Sequence, residues 1–179
     1  MKQLALRPHD VAVILQLVIS PHETYAKLSD AIGISASEVH EAVRRLRSAK
    51  LLGVSASRDV RRRPLEEFLV GGVRYAFPAE LGPVTRGVPT AHSSPKLSAH
   101  FAAGASGSAA EDVLVWPDED GNVRGVSLTP LYQAAPKTAQ HNPALYDLLT
   151  LVDTLRIGRA RERQLAKTML AHAMNVEYA

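Results

Sequence analysis

The chain has 179 residues, is 46% hydrophobic but only 5% aromatic, contains no cysteine and carries a formal net charge of +3. That length suits one domain or one domain with an extension, and the residue balance favours Leu/Val/Ala-packed helices over an aromatic-rich β-sandwich. The missing cysteines exclude disulfides, thiolate metal sites and cysteine nucleophiles, which fits a reducing cytoplasm.

Pro8 is well placed in the first turn of a helix in which Val11, Ile14, Leu15 and Val18 recur at helical spacing. The apolar run from Val11 to Ile19 is too short to span a bilayer and no cleavage pattern follows it. It reads as a core helix, and the chain as cytoplasmic and without membrane contact. A second helix carries Tyr25, Leu28, Ala31 and Ile32 and stops at Gly33, whose freedom to adopt left-handed backbone ends a helix at low cost. Ser35 then stands three residues before Glu38, the capping-box spacing that opens a third helix at about Ala36. On this helix Val39, Val43, Leu46 and Lys50 fall on one side, flanked by Ala42 and Ala49. The opposite side holds Ser37, Glu41, Arg44, Arg45 and Ser48, with His40 at its edge, groups able to reach phosphates and base edges.

Charge is unevenly spread: residues 1–63 hold 11 Lys+Arg against 6 Asp+Glu, a net of +5, while residues 64–179 net −2. The basic part is the nucleic-acid-binding candidate. The short helix, the Gly-Ile-Ser turn, the capped arginine-bearing helix and the exit Ala49-Lys50-Leu51-Leu52-Gly53 together resemble the winged helix-turn-helix of MarR-type and related bacterial regulators. The resemblance covers roughly residues 6 to 57. It implies a transcriptional regulator, a repressor, whose third helix enters the major groove of double-stranded DNA. Arg44 and Arg45 would anchor phosphate or contact guanine, Ser37, His40 and Ser48 would make short polar contacts, and Glu41 would accept from cytosine. A β-hairpin wing would follow, with Gly53 to Ser57 as its first strand and the basic run Arg58, Arg61, Arg62 and Arg63 adding backbone charge. An alternative of another class keeps the winged fold but docks a protein through the same surface.

Pro64 to Val70 reads as a helix ending at Gly71-Gly72, and Val73 to Phe77 alternates like a strand. From Pro78 to Ala110 the chain holds 4 Pro and 4 Gly and is loop-like, an ordered loop in preference to a lid, with Gly104 to Ser108 as linker chemistry. Val113 to Trp116 and Val123 to Leu128 flank the acidic turn Pro117 to Asn122 and read as a hairpin. Asp118, Glu119 and Asp120 lack the alternating ligand spacing of a calcium loop.

Asn142-Pro143 opens a helix with the stripe Leu145, Leu148, Leu149, Val152 and Leu155, and a last helix from about Gly158 to Met174 carries Leu165, Ala166, Met169 and Leu170. These helices are expected to support a homodimer, since such modules read two half-sites one turn apart; packing within the chain is the competing use. Arg156, Arg159, Arg161 and Arg163 make this region basic and could hold an acidic protein partner, as in an antitoxin-like repressor. The expected class is therefore α+β: a mainly helical winged domain over 1–77, a connector over 78–112, and a β-hairpin with a C-terminal helix pair over 113–179.

Enzyme readings find little support. No phosphate loop, dinucleotide fingerprint, HExxH or GxSxG motif occurs, and the seven histidines share no short ligand spacing. No catalytic residue, metal or cofactor is expected. Thr85, Arg86, Thr90 and His92 mark the first place to look for an assembled site.

Overall fold

A computed structural model describes residues 4–54, 58–101 and 113–176. It is mainly helical with a three-stranded sheet, an α+β protein. Helix α1 (Pro8–Ile19) starts where expected, the Asp10 carboxylate accepting the Arg7 N–H at 2.8 Å. Every residue from Asp10 to Val18 is buried, so the helix has no solvent face. In α2 (Tyr25–Ile32) the Thr24 hydroxyl caps Lys27 N–H, and Gly33 closes the helix at φ +75°. A three-residue turn leads to α3 (Ala36–Ser48), where Ser35 Oγ accepts the Glu38 N–H at 3.2 Å and Glu38 Oε2 accepts the Ser35 N–H at 3.1 Å. Val39, Ala42, Val43 and Leu46 face inward as their spacing requires. Lys50 does not. The helix ends at Ser48, so Lys50 leaves the periodic stripe and stands exposed in left-handed backbone.

A short hairpin follows, with Gly53 N–H donating to Asp59 O at 2.8 Å and Arg61 N–H to Leu51 O at 2.9 Å. Of the expected strand over Gly53 to Ser57, residues 55–57 lie outside the described residues, as do the expected linker residues Gly104 to Ser108. Helix α4 (Arg62–Glu67) runs through a π turn (Phe68–Gly72) into α5 (Val73–Ala76). The strand expected over Val73 to Phe77 is therefore a helix: the wide turn absorbs Gly71 and Gly72 without ending the helix, and Val73 reaches the core.

Strand β1 (Leu81–Pro89) pairs antiparallel with both β2 (Leu114–Pro117) and β3 (Val123–Leu128). Strands β2 and β3 pair parallel, through Leu114 with Val126 and Val115 with Ser127. The expected β2–β3 hairpin is thus overturned. The acidic segment crosses β1 instead of folding back, because Gly87 and Gly121 lack side chains: a Cβ on Gly121 would meet the Gly87 backbone, and one on Gly87 the Trp116 carbonyl.

The remaining helices are α6 (Pro95–Phe101), α7 (Ala135–His141), α8 (Pro143–Ile157) and α9 (Ala160–Ala173). Helix α8 packs on α1, α5, α7 and α9, and all its residues from Leu148 to Arg156 are buried. One core cluster joins Val11 of α1 to Leu145, Leu149 and Val152 of α8 and to Leu170 of α9. Of the two uses expected for the α8 stripe, packing within the chain covers it here, because α1 needs apolar neighbours on all sides. No helix among the described residues is long and apolar enough to cross a membrane.

Candidate nucleic-acid interface

The outward face of α3 is open to solvent at Ser37, His40, Arg44 and Ser48, with Glu41 half-buried. The Glu41 carboxylate and Arg44 guanidinium pair at 3.0 Å, and the pair stays open to solvent. Such a pair is worth only ~0–1 kcal/mol, so a competing phosphate can open it cheaply. His40 lies stacked on the Tyr25 ring, centroids 4.5 Å apart and planes at 25°. Ser35 holds the Glu38 carboxyl below the usual carboxylate range through its backbone N–H and hydroxyl, so α3 starts with a fixed negative charge.

Arg45 is not part of this face. It is 5% exposed and grips Asp10 of α1 bidentately, Nε to Oδ2 at 2.8 Å and Nη2 to Oδ1 at 2.6 Å. Its expected role at phosphate or guanine is overturned. Position 45 lies beside Ala42 and Leu46, on the flank that packs against α1, and the buried Asp10 supplies the counter-charge. Nothing local in the sequence marks this, because the partner is 35 residues away.

The basic run from Arg58 to Arg63 is partly committed to the fold. Arg58 donates to the Glu23 carbonyl and lies over the Tyr25 ring, 4.7 Å from its centroid. Arg61 Nη1 donates to the Lys50 carbonyl at 3.0 Å, and Arg62 Nη1 to the Met174 carbonyl at 2.6 Å. Arg62 is therefore turned toward the end of α9 and away from the α3 ridge, whereas Arg61 and Arg63 remain exposed. At the other end of the chain, Arg156 is buried against Asp153, so the C-terminal basic set loses one member; Arg159 and Arg161 are exposed.

Beneath the start of α3, Arg7, His9, Ser37, Glu38, Glu41 and Arg45 line a shallow recess of about 130 Å³. His9 Nε2 is 3.0 Å from Arg45 Nη2, and since a guanidinium can only donate, the imidazole accepts there and is neutral. Burial lowers the His9 pKa from its ordinary 6.5, outweighing the opposite pull of Asp10. A histidine whose pKa falls on folding contributes stability that is complete above the unfolded value and is lost as pH drops through it toward the folded one. His9→Gln keeps an acceptor without titrating. Urea midpoints of wild type should therefore fall relative to this variant below about pH 6.5, and parallel pH profiles would refute the assignment.

The scattered polar residues considered as an assembled catalytic site do not share one purpose. The Thr90 hydroxyl donates to buried Asp153 at 2.8 Å, His92 Nδ1 lies 3.9 Å from Glu162 Oε2, and Thr85 and Arg86 sit on β1. Three positions escaped the sequence reading: Asp10, His9 and Tyr25. Asp10 had a detectable signal, an acid in the first turn of an apolar helix, but capping alone accounts for that. Comparison with family models, with curated proteins and with solved structures finds no match to this chain.

Proposed function

We propose that the chain is a sequence-specific DNA-binding transcriptional regulator built on a winged helix-turn-helix, with α3 as the element that enters the major groove. The observation that carries this reading is the open ridge of Ser37, His40, Arg44 and Ser48, set between a three-residue turn and a hairpin. An α-helix fits the major groove, and its short polar side chains and arginine match the hydrogen-bonding pattern of base edges. The surplus of +5 over residues 1–63 survives the internal pairing, since the buried Arg45–Asp10 pair removes one charge of each sign. Arg44, Lys50, Arg61 and Arg63 are the exposed cations that would meet phosphate. A two-fold complex on adjacent half-sites would have to form through surfaces outside the covered α8 stripe.

A fluorescence-anisotropy titration against duplexes recovered by pool selection tests the reading. Wild type should bind with an affinity that falls steeply between low and moderate salt. Arg44→Ala should weaken it by about 1–3 kcal/mol without changing thermal stability. Unchanged affinity removes α3 from the interface.

One observation favours a second reading. Glu41 pairs with Arg44 on the outward face of α3 and Glu38 stands beside them, leaving that face close to neutral, as suits a docked protein. Salt-insensitive duplex binding, or none, would favour it.

A further inference from the structure

Tyr25 opens α2 half-buried and carries two planar groups, the His40 imidazole from α3 and the Arg58 guanidinium from the hairpin. Arg58 is pinned a second time through its bond to the Glu23 carbonyl. The backbone under these contacts is unusual. Lys50 before the hairpin and Arg58 within it both hold left-handed conformations, φ +59° and +52°, which non-glycine residues rarely adopt. Such conformations persist only where the surroundings over-determine them. Here each is fixed by an arginine side chain: Arg61 takes the Lys50 carbonyl, and Arg58 itself lies on Tyr25.

We propose that Tyr25 is a positioning residue that joins the segment carrying Arg58 and His40 into one rigid surface, so that this segment and α3 meet a duplex already aligned. This inference rests on the DNA-binding reading above and adds a residue that need not touch DNA. Physically, an Arg58 segment and an imidazole held in place before binding lose little freedom on binding, and that saving appears directly as affinity. Tyr25 can do this because a phenol ring accepts a guanidinium and an imidazole on its faces without using a charge.

Two variants test the inference, Tyr25→Ala, which removes the ring, and Tyr25→Phe, which keeps it. Limited trypsin digestion, followed by mass spectrometry of cleavage at Arg58 and Arg61, reads the hairpin without DNA. Tyr25→Ala should be cut about tenfold faster than wild type at these two sites alone, while Tyr25→Phe matches wild type. Anisotropy titration against a duplex from pool selection should show about tenfold weaker binding for Tyr25→Ala and wild-type binding for Tyr25→Phe. Equal cleavage in all three proteins overturns the brace. Faster cleavage with unchanged duplex affinity overturns its use in binding. A wild type that binds no duplex, yet shows the cleavage contrast, overturns the regulator reading and with it the DNA role of Tyr25, leaving only the brace.

Discussion

Asp153→Asn should cost the protein about 3–5 kcal/mol of stability, measured as the shift in a urea unfolding curve. Asp153 is fully buried on α8, and burial pushes its pKa up against the opposing pull of Arg156, its first counterweight. Its two oxygens nevertheless collect Thr90 Oγ1 at 2.8 Å, Trp116 Nε1 at 2.6 Å and Arg156 Nη1 at 2.6 Å, all donors. An amide offers one acceptor to three donors and removes the charge that Arg156 faces. Replacing both partners by apolar residues should not recover the loss. Arg156 also donates to the Phe77 carbonyl at 2.8 Å and the Pro78 carbonyl at 3.0 Å, and each acceptor left dry costs about 1–3 kcal/mol. A double variant Asp153→Leu/Arg156→Met as stable as wild type would show that the hub is dispensable.

Arg45→Met should be destabilising by a similar ~3–5 kcal/mol, because it strands Asp10 at 1% exposure with no counter-charge. The contrast lies in the double variant. Among the described residues the Arg45 side chain bonds to His9 besides Asp10, while Asp10 also accepts the Arg7 N–H at the helix start and lies 3.4 Å from His9 Nε2. Asp10→Leu/Arg45→Met should therefore regain most of the stability, less about 1 kcal/mol for the lost cap. On the DNA-binding proposal it should also keep duplex affinity, while Arg44→Ala loses affinity and keeps stability. A stable Arg45→Met with impaired binding would return Arg45 to the interface.

Local chemistry was legible wherever one segment supplied all the partners. Pro8 removes an N–H that the helix start would leave unpaired, and the Gly33 stop, the Ser35–Glu38 box and the Asn142-Pro143 start satisfy backbone groups within a few residues, so spacing alone located them. The errors came where a distant partner decided the outcome. Arg45 reads as a surface charge until Asp10 is brought beneath it, and Arg58 and Arg62 read as free cations until the Glu23 and Met174 carbonyls claim them. Alternation in Val73 to Phe77 reads like a strand because five residues cannot distinguish a period of two from the end of a helix. The leucine stripe of α8 was visible, but a stripe states only that it must be covered, and α1 and α9 cover it.

Helix α1 meets α3 on one side and α8 on another, so its burial depends on both ends of the chain. Cutting out the N-terminal third as a portable module would strip away the α8 side and leave a belt of valine and leucine facing water, an invitation to aggregate. Any transplant of the α3 ridge onto another protein must therefore bring an apolar lid for α1 with it.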